Sequence, residues 1–533
     1  MKQALKDRIA TVVHRRTSFS VFVALFLVCV FVLAACGGTS SPTPSGTSTK
    51  KGGNLKVGLI AEPTVLDPLT SVSLYDMDIM ANTNDTLFKY DINNVIQPEL
   101  VSTYQYSSPT VLNLTLHTGV QFHDGTPFNA DAVIFNLNRF INDKASPRYS
   151  DVQTIDTVQK TSDNQVQITL KKPFGPLLDK LTGSVGMMLS PTAVKNMGSK
   201  LGNAPIGAGS GPFVFVEWIK GDHLLLKANP NYWKKDAQGN ALPYLQSIRY
   251  QTITSAAVMY NNLETGQIQV ASNIDPNNVE QAKANTSLTY RQIVGPGFQS
   301  FQLNVTSPPL DNVHVRRAIA LAINRQEIVT TILKGVGFVA KGPLSPVAWA
   351  YDKNFTGYGY DPAQSKSELA QSGISNPSFT ILVTSGNPTT LQEMQLLQAQ
   401  LQQVGIGMQI KQETFTALLQ DFQTFHYQAV FVGWTGGLDP DSTLYSMFTT
   451  KGGFNFTKDS NQQIDSLLEQ GRTTVDQAQR IPVYQQAQEL IVQDASRIFL
   501  THPAVYQATT KTVQNYALLP SQVLDFSSVY VSS

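Results

Sequence analysis

The side chains best suited to chemistry are a histidine and an aspartate side by side, His123 and Asp124, in the stretch 119–139. In a hydrolase, such a pair would take up a proton on the imidazole while the carboxylate orients the ring. Asp124-Gly125 is also a turn signal, because glycine accepts a positive φ without a Cβ clash. A His-Asp pair at a turn usually makes local hydrogen bonds. We therefore interpret it as turn scaffold, ahead of a helix with Asn129 as its N-cap.

No other motif indicates catalysis. The seven histidines form no His-Glu-x-x-His zinc motif, and the chain has no Gly-x-Ser-x-Gly nucleophile elbow. The glycine-rich segment 205–211 lacks the lysine of a phosphate loop and precedes a strand pattern, so we interpret it as a loop between lobes. A weak dinucleotide fingerprint at 335–337 follows a helical pattern, which is the wrong context. We predict no catalytic residue, no metal site and no cofactor, and a secreted hydrolase is the less favoured alternative.

The N-terminus has the pattern of an export signal with a lipid attachment site. Residues 1–16 are basic and 19–33 are apolar, a run shorter than the roughly 20 residues that span a membrane. The run leads into Leu-Ala-Ala-Cys36, which resembles the bacterial lipobox, whose cysteine is diacylated and becomes the new N-terminus. Cys29 lies in the apolar run, so Cys36 would be the sole cysteine of the mature chain. We predict a signal peptide at 1–35, a lipidated Cys36 with a flexible tether at 36–52, and anchoring to the outer face of the cytoplasmic membrane.

Length, charge and periodicity limit the remaining possibilities. A chain of 533 residues is several times longer than an average domain, so at least two lobes with separate cores are expected. The formal net charge of +1 gives no basic surface for nucleic acid. Strand patterns at 54–60, 379–384 and 429–434, with a helical stripe between the last two, predict an α/β chain.

An ordered set of short motifs resembles the family 5 extracellular solute-binding proteins of ABC importers, which include oligopeptide, dipeptide and nickel binders. The resemblance covers residues 53–505. Its carriers are Leu66-Asp67-Pro68, 119–131 with Arg139, 209–213, 229–233, 263–266, 315–319 with 322–324, Gly433-Trp434 and Asp439-Pro440.

The resemblance implies an α/β fold, a bilobed periplasmic-binding-protein-like clamshell of type II in its large three-subdomain form. Lobe I would span 53–300 with an inserted subdomain at about 89–204, lobe II would span 301–500, and 501–533 would return to lobe I. Two strands would cross between the lobes, and 298–305 is the candidate for one of them. The protein would be a monomer that binds a small molecule or peptide in its cleft and delivers it to an ABC permease heterodimer with its ATPases.

Peptide binders of this family carry the pattern Gly-Trp-x-x-Asp-Tyr-x-Asp-Pro, whose first Asp pairs with the α-amino group of the peptide. Here the stretch 433–441 is one residue shorter, and Gly437 stands in place of that Asp. The charged anchor is therefore not carried over. The resemblance leaves open a peptide-like solute or another solute, such as a nickel chelate, an opine or an oligosaccharide. An adhesin or chaperone-like lipoprotein on the same fold is a further alternative.

The candidate solute-binding residues follow from this loop and from position in the fold. Trp434 is expected either as a cleft aromatic or as a plain core residue. Asp439, next to Pro440, is expected in a turn or as a ligand contact. The full set of candidates is Trp434, Gly436, Gly437, Asp439, Phe298, Gln299, Asn304 and Glu62.

Overall fold

The chain folds into two lobes, each organised around one mixed β-sheet. The computed structural model describes residues 52–71, 73–272 and 274–532, which belong to one unit, Lys50–Ser533. The predicted signal peptide, Cys36 and the tether up to residue 51 lie outside the described residues.

The sheet of lobe I has seven strands in the order β12-β19-β11-β1-β10-β9-β8. Its first strand pairs in parallel with both of its neighbours, β10 and β11, and its leucines and valine are buried. The strands are β1 (Asn54–Leu59), β8 (Phe213–Ile219), β9 (His223–Ala228), β10 (Ser247–Thr252), β11 (Val270–Ala271), β12 (Leu288–Val294) and β19 (Ala504–Thr510). Three helices, α1 (Leu74–Thr83), α6 (Ala256–Glu264) and α7 (Val279–Ala284), and a C-terminal pair, β20 (Val513–Gln514) and β21 (Tyr530–Val531), complete this lobe.

A subdomain inserted between α1 and β8 has its own antiparallel sheet in the order β4-β5-β7-β6, with an apolar core. Asn129 caps helix α2 (Ala130–Asn142) by accepting a hydrogen bond from the Ala132 N–H at 3.1 Å, as its position before the apolar stripe predicts. The remaining elements are β2 (Phe88–Tyr90), β3 (Ile96–Pro98), β4 (Val101–Ser108), β5 (Val111–Leu116), β6 (Ile155–Ser162), β7 (Gln165–Leu170), α3 (Tyr149–Val152), α4 (Leu177–Lys180) and α5 (Pro191–Met197).

The His-Asp pair belongs to the scaffold of this subdomain. His123 Nε2–H donates to the carbonyl of Gly211 at 2.9 Å, and Ser190 Oγ donates to the Asp124 carboxylate at 2.5 Å. The backbone N–H groups of the pair donate to the carbonyls of Gly209 and Gly207. The glycine-rich segment 205–211 therefore fastens the turn to lobe I, and its interpretation as a loop between lobes was wrong.

Lobe II has a six-stranded sheet in the order β14-β18-β13-β17-β15-β16, covered by helices. The helical stripe predicted between the last two strand patterns lies on α11 (Pro388–Val404), where Met394, Leu397, Leu401 and Val404 are buried and Leu391 is half-buried. The helix ends at Gly405 with a positive φ of 94°. The strands are β13 (Phe298–Leu303), β14 (Phe338–Val339), β15 (Ser378–Thr384), β16 (Gly407–Glu413), β17 (Ala429–Trp434) and β18 (Arg497–His502). The helices are α8 (Val313–Ala322), α9 (Arg325–Glu327), α10 (Pro362–Ser372), α11 (Pro388–Val404), α12 (Phe415–Thr424), α13 (Pro440–Phe448), α14 (Gln462–Thr473) and α15 (Gln477–Asp494).

The chain passes between the two sheets at two adjacent places. Strand β12 of lobe I continues through Gly295-Pro296-Gly297 into β13 of lobe II, and β18 returns through Pro503 into β19. The segment 298–305 does not itself cross, because Phe298–Leu303 pairs along its whole length with β17 in lobe II.

Backbone packs directly on backbone at these crossings. A Cβ on Gly297 would lie 2.0 Å from the carbonyl oxygen of Trp434, and one on Gly295 would lie 2.8 Å from that of Pro503. Both distances are shorter than real Cβ contacts, so these two glycines are required by space.

Replacing Gly297 with Ala should destabilise the protein by about 1–3 kcal/mol, the usual cost of overpacking, because the Trp434 carbonyl must move. Gly433→Ala is the matched control on the neighbouring strand, since its Cβ would approach nothing closer than 3.8 Å. Urea unfolding of both variants measures the difference. Equal stability of the two would contradict the packing at the crossing.

Candidate functional site

A cavity of about 910 Å³ lies between the two lobes, next to the crossings. Lobe I contributes helix α1, the 232–235 loop and the C-terminal segment 519–528, while the inserted subdomain contributes Arg148 and the β2–β3 hairpin. Lobe II contributes the loop 435–438, and Pro296 lies between the lobes. The volume is at the upper end of the roughly 300–1,000 Å³ of small-molecule sites.

The lobe II loop presents backbone to this cavity. Gly436 has a φ of 73°, and a Cβ there would lie 2.3 Å from the carbonyl oxygen of Pro296. A Cβ on Gly437 would lie 2.1 Å from Ser442 Oγ, which is held by donating to the Asp439 carbonyl at 2.7 Å. The loop therefore lies flat on the crossing at Gly436, where backbone excludes a side chain, and a side chain at Gly437 would have to displace the Ser442 hydroxyl.

Two aspartates after the loop fix it to the helices of lobe II. Asp439 is 2% exposed and accepts two hydrogen bonds from the Arg480 guanidinium, at 2.7 and 2.8 Å. It also caps α13 through the Asp441 N–H at 2.9 Å. Asp441 accepts two hydrogen bonds from Arg472, at 3.0 and 2.7 Å. Such bidentate pairs restrain both partners, so the loop is tied to α14 and α15.

The same helices contact the inserted subdomain. The Gly175 N–H donates to the Arg472 carbonyl at 2.8 Å, and a Cβ on Gly175 would lie 2.1 Å from the Thr474 carbonyl oxygen. On the β2–β3 hairpin, Asn94 Nδ2 donates to the Val347 carbonyl of lobe II at 3.2 Å. The lobes thus touch away from the crossings as well.

The lobe I wall carries a cluster of charges that neutralise one another. Lys234 Nζ lies 3.3 Å from Asp85 and is hydrogen-bonded to Glu99. Asp85 also accepts from Tyr232 Oη and Trp233 Nε1, both at 2.9 Å. Burial disfavours the charged form of Glu99, but Lys234 and Lys89 outweigh it and lower its pKa to about 2.

The structure brings some of the predicted residues to the cavity and not others. Gly436 and Gly437 line it. Trp434 packs in the lobe II cluster with its ring centroid 5.1 Å from that of Phe454, and within the described residues its buried Nε1 has no acceptor. Asp439 is held by Arg480, so the turn interpretation describes it.

Four further candidates lie off the cavity. Phe298 is fully buried against Phe499, with ring centroids 5.0 Å apart. Gln299 accepts from Thr501 Oγ1 at 3.0 Å, and buried Asn304 donates to the Tyr427 carbonyl at 3.1 Å. Glu62 accepts from Trp218 Nε1 at 3.1 Å and the Gly221 N–H at 3.0 Å, which fixes the β8–β9 turn. These side chains bind neighbouring parts of the protein because each points into its own lobe.

Sequence reasoning missed the lobe I wall. Asp85, Glu99 and Lys234 come from three separate segments, and Asp525 from the C-terminal segment 519–528. The Asn-Tyr-Trp-Lys stretch ending at Lys234 carried a weak signal, because its aromatics mark a fixed turn. Arg148 had none, since no periodicity or motif surrounds it.

Comparison with known proteins identifies the family. Residues 95–456 match the model of bacterial extracellular solute-binding proteins, family 5 middle. This chain belongs to that family. The glutathione-binding protein GsiB of Pectobacterium atrosepticum is 30% identical over 509 residues, covering 93% of this chain and 97% of that protein. The dipeptide-binding protein of Escherichia coli is 28% identical and covers 87% of this chain and 91% of its own length.

Solved structures confirm the bilobed α/β clamshell of this solute-binding protein. HbpA2 from Haemophilus parasuis superimposes with a TM-score of 0.81 at 23% identity, covering 90% of this chain and 100% of that chain. The Helicobacter pylori protein DppA in complex with the peptide STSA gives a TM-score of 0.73 at 25% identity, covering 91% and 99%. Among the described residues, no helix is long and apolar enough to cross a membrane. The part of the chain covered by the structure also has no cluster of three His, Cys, Asp or Glu fit for a metal.

Substitution of Asp439 should destabilise lobe II, because it leaves the Arg480 charge buried without a partner. The expected loss is about 3–5 kcal/mol in the free energy of unfolding for Asp439→Ala, measured in urea. Asp439→Asn should lose most of the same amount, since it keeps an oxygen to cap α13 but not the charge. Asp131→Ala, at an ion pair whose carboxylate is 65% exposed, is the control and should leave the midpoint unchanged. A stable Asp439→Asn protein would refute the ion-pair explanation.

Proposed function

We propose that this protein captures a short peptide or peptide-like solute in the cavity between its lobes and delivers it to the permease of an ABC importer. The observation that carries the proposal is the cavity of about 910 Å³, formed by both lobes at the crossings. An extended peptide is about 3.3–3.6 Å long per residue, so a peptide of a few residues is short enough to lie within a cavity of this volume. A folded protein is too large for it. Relatives named for dipeptides and glutathione support a peptide-like solute.

Capture would work by a shift between open and closed arrangements of the lobes. The two crossings are short, so they allow rotation of one lobe against the other. A solute that contacts both walls favours the closed arrangement in proportion to the contacts made only there. Gly175 against Arg472 and Asn94 against Val347 are contacts between the lobes that such a rotation would break.

The protein would act as a binding component and not as an enzyme, as a monomer held at the outer face of the cytoplasmic membrane by lipid on Cys36. The permease heterodimer with its ATPases would supply the energy of transport. This arrangement fits a family of extracellular solute-binding proteins.

Thermal unfolding of the purified protein with di- to pentapeptides should show a rise in Tm for some of them. Binding to the folded state alone contributes about 2.7 kcal/mol at a hundredfold excess over Kd. Sugars, opines and nickel chelates are the comparison set, and mass spectrometry should recover each peptide unhydrolysed. A shift with one of these other solutes and with no peptide would contradict the peptide proposal, and turnover would contradict the binding role.

Replacing Cys36 with Ser should release the protein from the membrane. One diacylated cysteine gives stable anchoring, so the wild-type protein should enter the detergent phase of a Triton X-114 extract and the variant the aqueous phase. Cys29→Ser is the control, because Cys29 lies in the predicted signal peptide and should leave partitioning unchanged. A variant at Cys36 that stays in the detergent phase would contradict lipidation at this residue.

A further inference from the structure

The lobe II loop offers no charge to a solute in the cavity. Thr435, Gly436, Gly437 and Leu438 line it there, and the two glycines lie where a Cβ would clash with Pro296 and Ser442. Asp439 and Asp441, the next acids along the chain, are taken up by Arg480 and Arg472. Any charged group of the solute must therefore be met by lobe I or the inserted subdomain.

Most charged side chains on that wall are already paired. Asp85 accepts from Tyr232, Trp233 and Lys234, and Glu99 accepts from Thr86 as well as from Lys234. Groups satisfied in this way would have to give up buried hydrogen bonds before binding a solute. They shape the wall but are not available as anchors.

Three charged side chains of the lining have no ion-pair partner among the described residues, namely Arg148, Asp525 and Lys235. Lys235 is exposed to solvent, so Arg148 and Asp525 are the half-buried pair of opposite charge. Arg148 has a buried Nε without an acceptor, and its guanidinium makes no hydrogen bond or ion pair with any described residue. Asp525 accepts only from the Ser527 N–H, at 2.8 Å, and has no cation within ion-pair distance in the described parts of the chain. The two come from different parts of the structure, Arg148 from the inserted subdomain and Asp525 from the C-terminal segment of lobe I.

We propose that Asp525 binds the α-ammonium group and Arg148 the α-carboxylate of the solute, which is therefore a short peptide with both termini free. A guanidinium matches a carboxylate with two parallel hydrogen bonds, and a carboxylate accepts well from an ammonium group. The inference rests on the proposed peptide capture, and it specifies which residues of that same site bind the two charged ends of the peptide. Charge recognition lies on lobe I and the inserted subdomain, and the lobe II loop supplies backbone and apolar contacts.

The test uses a synthetic tripeptide library in three forms, with free termini, N-acetylated or C-amidated. Capture by the protein, purified as the cell processes it, is measured by mass spectrometry after competition. The wild-type protein should prefer the free form at least tenfold over each blocked form. Asp525→Asn should lose the discrimination against N-acetylation alone, and Arg148→Gln the discrimination against amidation alone, while Arg148→Lys should retain part of it.

Lys144→Gln and Asp156→Asn are matched controls, because both side chains are exposed and neither lines the cavity. They should behave as wild type. An equal loss for all three library forms in Asp525→Asn or Arg148→Gln, or wild-type selectivity in either, overturns the anchor assignment and leaves peptide capture standing. A wild-type protein that captures none of the three forms overturns peptide capture itself.

Discussion

The structure depends on the close approach of bare backbone where the two lobes meet. Gly295 and Gly297 leave room for the carbonyls of Pro503 and Trp434, and Gly436 leaves room for that of Pro296. The chain segments can lie against one another there only because these three glycines lack a Cβ at the points of contact. The lobe II loop that lines the cavity consequently has no room for a side chain at Gly436.

Buried ion pairs hold this loop in a fixed position on the helices of lobe II. Asp439 and Asp441 begin helix α13 and bind arginines on α15 and α14. Such pairs add little net stability compared with an apolar replacement, but they fix geometry because neither partner tolerates being left alone. Since the inserted subdomain rests on the same helices at Gly175, one set of contacts sets both the loop and the contact between lobes.

On the wall of lobe I, buried charged side chains are stabilised by pairing with one another. Asp85, Glu99 and Lys234 lie close together under limited solvent, where an unpaired charge would be costly. With Lys89, which lies 3.5 Å from Glu99, two cations pair with two carboxylates, and the Tyr232 hydroxyl and Trp233 indole donate to Asp85. The cluster is therefore polar but carries no net charge. Specificity then falls to the few charged groups that the protein leaves unpaired.

The sequence by itself determined the family, the α/β class and many element boundaries. These rest on local rules: the stripe on α11, the Asn129 cap and the turn at Asp124-Gly125 each follow from neighbouring residues. It also showed that the acid of the usual peptide binders is absent at Gly437. It placed segment 205–211 wrongly, and it suggested as cleft residues Phe298, Glu62 and Asn304, which point into their own lobes.

Only the tertiary structure decided which side chains face the cavity. Strand and helix periods tell which residues are buried, but not whether they are buried in a core or beside a solute. Arg148 and Asp525 are 377 positions apart in the numbering and meet the same cavity because the chain crosses between the sheets and returns. The approach of Gly297 to Trp434 is likewise a contact between distant segments, and no local pattern records it, because local patterns carry no information on which distant segments share a surface.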